Sequence, residues 1–483
     1  MINKIRSFIY NKISDKAMLY IGIVLLCVFY FIGLLSYITV PVPALFRLFK
    51  SSSILAILLR AFTCGLICLY SILVIFKYKP KIKWSWLVIF CFVLLSTLVC
   101  ILISPLTYEY MYVEELYKVV HVVILNPGLG RTVVMFLSSI ADFAFAFCIL
   151  FVLPYVLNDK KKLLWLLLPI VAIGLLECCY SLFKERDLYI YLFNHPDDPF
   201  GGYGHEVGAT FGNKEDWGAF LTVAISSSLC SIFFLGKTTK EFILKILLGV
   251  SAFIMSVFVV LSLCKTAMLG IFLLFITLFI GFIIASYFKS KRLAVICTSI
   301  FLVIICFAIV FFVTNGFGIS FLSKICNYIK NFVFKRGSDA LEGRSSLWLN
   351  YMENVRGYNL FFGMGKNYVN VYTKTLVPEG QSAIHNGFAY FFASYGLIGF
   401  IVLICLLCLV LRNILLNWRT NKLQTFLFLG VFAAALTFVL AESEVLIISS
   451  STPIFVYNVL VVILPAALVL KNENNFKANL QND

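Results

Sequence analysis

The stretch KTAMLGIFLLFITLFIGFIIASYFKSKR, residues 265–292, opens on Lys265, runs for 23 residues without a charge, and closes on Lys289, Lys291 and Arg292. As a helix its apolar part is about 35 Å long at 1.5 Å per residue. That is enough to cross a hydrocarbon core about 30 Å thick. The run is apolar on every side, as a helix surrounded by lipid and other helices must be. It has a single charge at one end and a basic cluster at the other, so it reads as a membrane span with its orientation written at its ends.

The same reading extends along the chain. Apolar runs fall near 17–40, 54–76, 84–104, 132–157, 163–183, 217–235, 246–264, 267–288, 293–314, 386–411, 423–441 and 453–470. The segments before, between and after these twelve spans alternate in charge. Lys4, Arg6, Lys12 and Lys16 precede the first; Lys77, Lys79, Lys81 and Lys83 follow the second; Lys160, Lys161 and Lys162 follow the fourth. Lys237, Lys240 and Lys245, then Lys289, Lys291 and Arg292, then Arg412, Arg419 and Lys422 continue the series, and Lys471 and Lys477 close it. Cytoplasmic loops carry the excess of Lys and Arg, so both termini are expected inside. The expected fold is an all-α polytopic membrane protein of about twelve helices.

Composition agrees. The chain has 483 residues, 61% hydrophobic and 13% charged, whereas soluble domains carry about a quarter charged residues. Soluble enzymes, disordered scaffolds and nucleic-acid binders are thereby excluded. The net charge of +16 sits largely in the short loops that set orientation, not on a nucleic-acid surface. The 15 cysteines lie almost all in apolar runs, where Cys behaves as a small hydrophobe. Cys405 and Cys408 form a CxxC inside a span, and Cys326 alone stands clearly in a large loop. The first apolar run is too long for a cleavable signal and lacks a small-residue cleavage site, so it is expected to remain as an anchor.

Two outer segments are large. Residues 184–216 hold seven acids against three bases, and residues 315–385 hold eight bases against four acids. A long loop can cross regardless of its charge, so the basic one does not upset the orientation, and it invites an anionic ligand near the outer leaflet. Within it, 321–333 repeats apolar residues at three- and four-residue steps, the pattern of a helix lying in the interface plane. A second helix is expected from the Ser345/Ser346 cap, and GMGK at 363–366 signals a turn. Four regions follow: 1–208 with spans one to five and the acidic loop, 209–411 with the basic loop, the C-terminal helices 412–470, and a polar tail 471–483.

Three residues at the predicted outer face carry the most chemistry. Lys265 ends the turn between two spans, Arg344 lies in the basic loop, and His385 stands at the mouth of the tenth span. Two cations can hold a diphosphate, Arg in bidentate fashion, and a neutral His can accept a hydroxyl proton. Equally, long cationic side chains snorkel to lipid headgroups and a His can cap a helix.

Arg60, Asp142 and Glu177 lie inside spans, about 9 Å, 15 Å and 9 Å from the predicted outer ends. They either pair between helices or line an outward cavity. In the acidic loop, His195, Asp197, Asp198, His205 and Glu206 fall within twelve residues. No recognised metal-ligand spacing is present, and Pro196, Pro199 and the surrounding glycines fit a surface turn. Sugar binding there, with Tyr203 and Trp217 as stacking faces, is the preferred reading. GKTT at 236–239 lacks the upstream Gly and strand of a phosphate-binding loop and is a turn.

Several blocks resemble the O-antigen ligase and polymerase family of bacterial envelope glycan enzymes: ATFGN at 209–213, LSLCKTAMLG at 261–270, GRSSLW at 343–348, LFFGMGKNYV at 360–369, and IHNGFAYFFASYGLIGFIVL at 384–403. They cover roughly 209–403, in order; the first five spans are similar only in hydropathy. The resemblance implies a C-type membrane-embedded architecture and an inverting glycosyl transfer without metal, nucleotide sugar or other cofactor. Its donor would be a glycan on polyprenyl (undecaprenyl-type) diphosphate at the outer face of the bacterial cytoplasmic membrane.

It further implies that Arg344 and Lys265, with Arg336 and Arg356 as further bases, hold the diphosphate. His385 would serve the acceptor hydroxyl, and Asn386 and Asn213 the glycan. Two departures stand out. Lys265 occupies a position usually held by Arg, and Asn213 is followed by Lys-Glu-Asp where Pro-Asn is common. The leading reading is a polymerase of lipid-linked repeats, for O-antigen or capsule; a ligase to a lipid core or protein uses the same donor. Implied partners are the lipid-linked oligosaccharide, the bilayer, and a flippase and chain-length regulator of the same pathway. A flippase or other transporter is the alternative from another class, disfavoured by the lack of repeated halves and of paired broken helices.

Overall fold

The computed structural model describes residues 13–35, 54–78, 106–113, 118–125, 160–195, 207–209, 214–334, 348–349, 355–364, 386–419 and 421–441, with scattered positions between 87 and 140. Its helices are α1 (Asp15–Leu35), α2 (Ile54–Tyr78), α3 (Lys160–Lys184), α4 (Arg186–Asn194), α5 (Lys214–Phe234), α6 (Thr239–Leu261), α7 (Lys265–Lys289), α8 (Lys291–Val313), α9 (Ser320–Phe334), the single turn α10 (Asn359–Phe362), α11 (Gly387–Leu416) and α12 (Lys422–Ala441). Seven helices among the described residues are long and apolar enough to cross a membrane: most of α3, and α5, α6, α7, α8, α11 and α12. The protein is a multi-pass membrane protein. The expected twelfth span at 453–470 lies outside the described residues, as do most positions of the third and fourth.

The seven spans start and stop near their expected limits, and the largest difference has a local cause. Helix α6 begins at Thr239, not near 246. Thr238 caps it, accepting from the Glu241 amide while the Glu241 carboxylate accepts from the Thr238 amide. This reciprocal capping box draws Lys240 and Lys245 into the helix, and it is what the GKTT stretch builds.

Outside the spans the chain is not wholly helical. Strands β1 (Leu106–Val113) and β2 (Lys118–Leu125) form an antiparallel hairpin with Leu106 opposite Leu125 and Val113 opposite Lys118. The Tyr- and Val-rich runs LTYEYMYV and KVVHVVIL favour a pleated backbone.

Helix α5 is the hub. It packs against α3, α6, α7 and α12, and 16 of its 21 residues are buried. Most of its hydroxyls are satisfied locally or by a neighbour; the buried Ser227 hydroxyl is the exception. Thr222 donates to the Gly218 carbonyl, Ser226 to that of Thr222, and Ser228 crosses to the Leu248 carbonyl of α6 at 2.7 Å. Small residues let membrane helices approach closely, and the α7–α12 seam relies on this. A Cβ on Gly270 would lie 3.0 Å from the Thr437 hydroxyl, and one on Gly430 would lie 2.9 Å from the Leu274 carbonyl. Helix α8, by contrast, is largely exposed, as a lipid-facing helix would be.

These contacts fix a common sense of direction. The Lys422 ammonium lies 4.1 Å from the Phe288 ring centroid, so the end of α7 and the start of α12 share one basic face. At the opposite face stand the starts of α5, α7 and α11 and the ends of α3 and α6.

Candidate functional site

At that opposite face α6 passes to α7 through a tight turn. The Ser262 amide donates to the Phe258 carbonyl, and the Ser262 hydroxyl donates to Val259 while accepting from the Cys264 amide. Leu263 adopts φ +59, a left-handed conformation that costs a non-glycine residue about 1–2 kcal/mol. Cys264 caps α7, its sulfur accepting from the Ala267 amide. Ser262, Leu263 and Cys264 are all buried, whereas Lys265, the next residue, is exposed. A cation in the first turn of a helix is opposed by the helix dipole by about 0.3–1 kcal/mol. Local stability therefore does not favour Lys265 there; the added positive potential suits an anion.

Gly218 of α5 seats against this turn. A Cβ there would come within 2.9 Å of Cys264 and 2.8 Å of Ala267. Beside it, Trp217 is fully buried, edge-on to Phe258 at 6.0 Å. This corrects the reading of Trp217 as a sugar-stacking face: its ring is packed between helices and belongs to the core.

The end of α3 holds the return of the acidic loop. Glu185 is 8% exposed. Its Oε1 accepts from the Gly208 and Ala209 amides at 2.9 and 3.0 Å, and its Oε2 accepts from the Ser181 hydroxyl at 2.5 Å. Lys184 donates to the Ala209 carbonyl at 2.7 Å. Ala209 itself has φ +47. Ser181 also lies 2.5 Å from the Tyr189 hydroxyl, and Tyr189 meets Phe258 edge-on at 6.3 Å.

A second support carries the basic loop. Arg356 is exposed beside buried Val355, just before α10. Gly363, at φ +80, follows that turn and docks on α11, where the Met364 amide donates to the Ala393 carbonyl at 2.8 Å. Gly396 breaks the regular path of α11 at φ +67, ψ −167. A Cβ on Gly363 would overlap the Ser394 carbonyl, and one on Gly396 would overlap that of Phe361. The sequence blocks LFFGMGK and ASYGLIG are thus two halves of one joint. Asn386 caps α11, its Oδ1 accepting from the Ala389 amide at 3.0 Å.

The structure puts Trp217 on α5 against Phe258 of α6, one residue before the Gly218 contact with the turn that leads to Lys265, and sets Arg356 and Asn386 on the α11 support. Glu177 is buried within α3. His385, Arg344, Arg336, Asn213, Tyr203 and Asp142 lie outside the described residues, as do the side chain of Arg60 and the loop residues Asp197, Asp198, His205 and Glu206. His195 is exposed and stacks on Tyr191 at 4.4 Å. Among the described residues no three His, Cys, Asp or Glu side chains come together to hold a metal.

Helix α9 forms where the sequence period places it. Its Cys326 is buried, the thiol directed at the Phe311 and Phe312 carbonyls at the end of α8. The loop cysteine is thus a packing residue. The Glu185 contacts were not foreseen, since an acid between Lys184 and Arg186 reads only as charge.

Residues 250–404 match the Wzy_C family model, described as O-antigen ligase. The matched segment holds Lys265, Arg336, Arg344, Arg356, His385 and Asn386, and leaves out ATFGN. It supports assignment to the O-antigen ligase and polymerase family. No curated protein matches the chain.

Proposed function

We propose that the protein is a glycosyltransferase that joins lipid-linked oligosaccharide repeats into a surface polysaccharide at the outer face of the cytoplasmic membrane. The observation that carries this reading is the match of residues 250–404 to the O-antigen ligase family, a region that holds every diphosphate candidate and His385. Enzymes of this family act on glycans carried by lipid.

In the proposed reaction an acceptor hydroxyl attacks the anomeric carbon of the donor glycan. The bond from that carbon to the diphosphate oxygen breaks, and the electron pair leaves with the lipid diphosphate. The attack is from the opposite side, so configuration inverts. Lys265 grips the bound diphosphate, with Arg336 and Arg356 as further bases, and Arg344 stabilises the charge on the diphosphate as it departs, the largest electrostatic demand of the step. His385 takes or orients the acceptor proton. The exposed position of Lys265 at a helix N-terminus supports its part.

The test is the size distribution of surface and lipid-linked glycan in a deletion strain, complemented with wild type, Arg344→Ala or His385→Ala. The reading expects single repeats without the protein and a long ladder restored by wild type only. Full-length chains stranded on the lipid carrier would assign a ligase instead. Full function with Ala at both positions would turn the reading to transport.

A further inference from the structure

The Glu185 carboxylate is fully engaged. Two backbone amides share one oxygen, a serine hydroxyl takes the other, and the side chain is buried. A carboxylate so used is a poor candidate for a metal ligand, a general base or a counter-ion to a nearby cation. What it holds is more telling. Lys184 and Glu185 grip Ala209 from both sides, at its carbonyl and at its amide, and Ala209 is held in a left-handed conformation that alanine rarely adopts. Strain of this kind persists only where the surroundings over-determine it, and it gathers at functional sites.

The contacts then run onward without a gap. Ser181 bridges Glu185 and Tyr189, Tyr189 meets Phe258, and Phe258 meets Trp217. The Phe258 carbonyl accepts from Ser262, the first residue of the turn that delivers Lys265. Gly218, next to Trp217, closes the other side of that turn against Cys264. One end of this chain of contacts is a buried carboxylate holding the acidic loop; the other is the exposed lysine.

We propose that Glu185 is a positioning residue for Lys265: by clasping the loop at Gly208 and Ala209 it holds the Tyr189–Phe258 wall that sets the Ser262–Cys264 turn. The proposal rests on the reading of Lys265 as a diphosphate grip and adds a residue outside the matched region. Gln in place of Glu185 keeps an oxygen that can accept from both amides and offers an amide to the Ser181 hydroxyl, so shape, not charge, is the requirement.

The experiment uses the full chain in detergent. Hydrogen exchange at the Gly208 and Ala209 amides reads the clasp without substrate, and the wild-type ladder reads glycosyl transfer, so the two readings fail separately. KM and kcat are measured with the lipid-linked repeat extracted from the deletion strain. Glu185→Ala is expected to speed exchange and raise KM for that repeat about tenfold, with kcat within about threefold of wild type. Glu185→Gln should restore both. Ser181→Ala, which leaves the two amide contacts, should raise KM by about threefold and serves if Glu185→Ala does not fold. An unmoved KM in either truncation, a fall in kcat alone, or a Gln variant as impaired as Ala would overturn the proposal.

Discussion

Gly396→Ala strikes the joint between α10 and α11 and nothing else. At φ +67, ψ −167 the backbone is in a region essentially reserved for glycine, so any other residue costs about 1–3 kcal/mol before contacts are considered. The new Cβ would also overlap the Phe361 carbonyl and lie 2.6 Å from the Gly363 amide nitrogen. Both are backbone atoms, and no rotamer change can relieve the overlap. Undocking the turn does relieve it, at the loss of the Met364-to-Ala393 hydrogen bond, worth about 1 kcal/mol. The docked turn should therefore lose about 3 kcal/mol, or about a hundredfold in its docked population, while the α5–α7–α12 bundle stays folded. Hydrogen exchange at the Met364 amide and tryptic cleavage at Arg356 read this directly, and the glycan ladder should be lost. The control is Gly249→Ala in α6, where a Cβ meets nothing within 4 Å; it should be stabilising by about 0.5–1 kcal/mol. Unchanged Met364 exchange in Gly396→Ala, with an unshifted melting temperature, would refute the interlocked joint.

Lys265→Ala should raise KM for the lipid-linked repeat by about 10–100-fold, the worth of one charge-assisted contact, and Lys265→Arg should retain elongation; equal loss in both would sever Lys265 from the anion. Trp217→Ala should destabilise by about 3–5 kcal/mol, seen as loss of folded protein on size exclusion, whereas Trp217→Phe should survive; a well-folded Ala variant with weakened glycan binding would restore a stacking role. Thr238→Ala removes the cap of α6 and should lower stability by about 1 kcal/mol, read as a small fall in melting temperature with an unchanged ladder. Gly363→Ala combined with Gly396→Ala should cost little more than either alone, because both jam one joint; additive losses in Met364 protection would mean two independent contacts.

The spans were legible because a bilayer imposes one rule on every helix that crosses it: length and apolarity, with bases at one end. Which helix lies innermost was far less legible, since α5 and α8 are both apolar enough to span. The usable signal was the small and hydroxylated run ISSSLCS of α5 against FLVIICFAIVFF of α8, because small residues go where helices meet and large ones where lipid is. The joint at Gly363 and Gly396 was half visible. Each glycine marked a turn or a block, but their partnership spans more than thirty residues of sequence, and no local pattern links them. Glu185 was invisible for a related reason. Its long-range partners are two backbone amides 23 and 24 residues away, and a backbone amide leaves no trace in residue identity. Sequence thus exposes the residues that carry charge to a substrate, such as Lys265, and conceals those that hold the carriers in place. The supports of this site, Glu185, Phe258, Gly218, Gly363 and Gly396, are ordinary residue types whose importance arises only from what stands next to them.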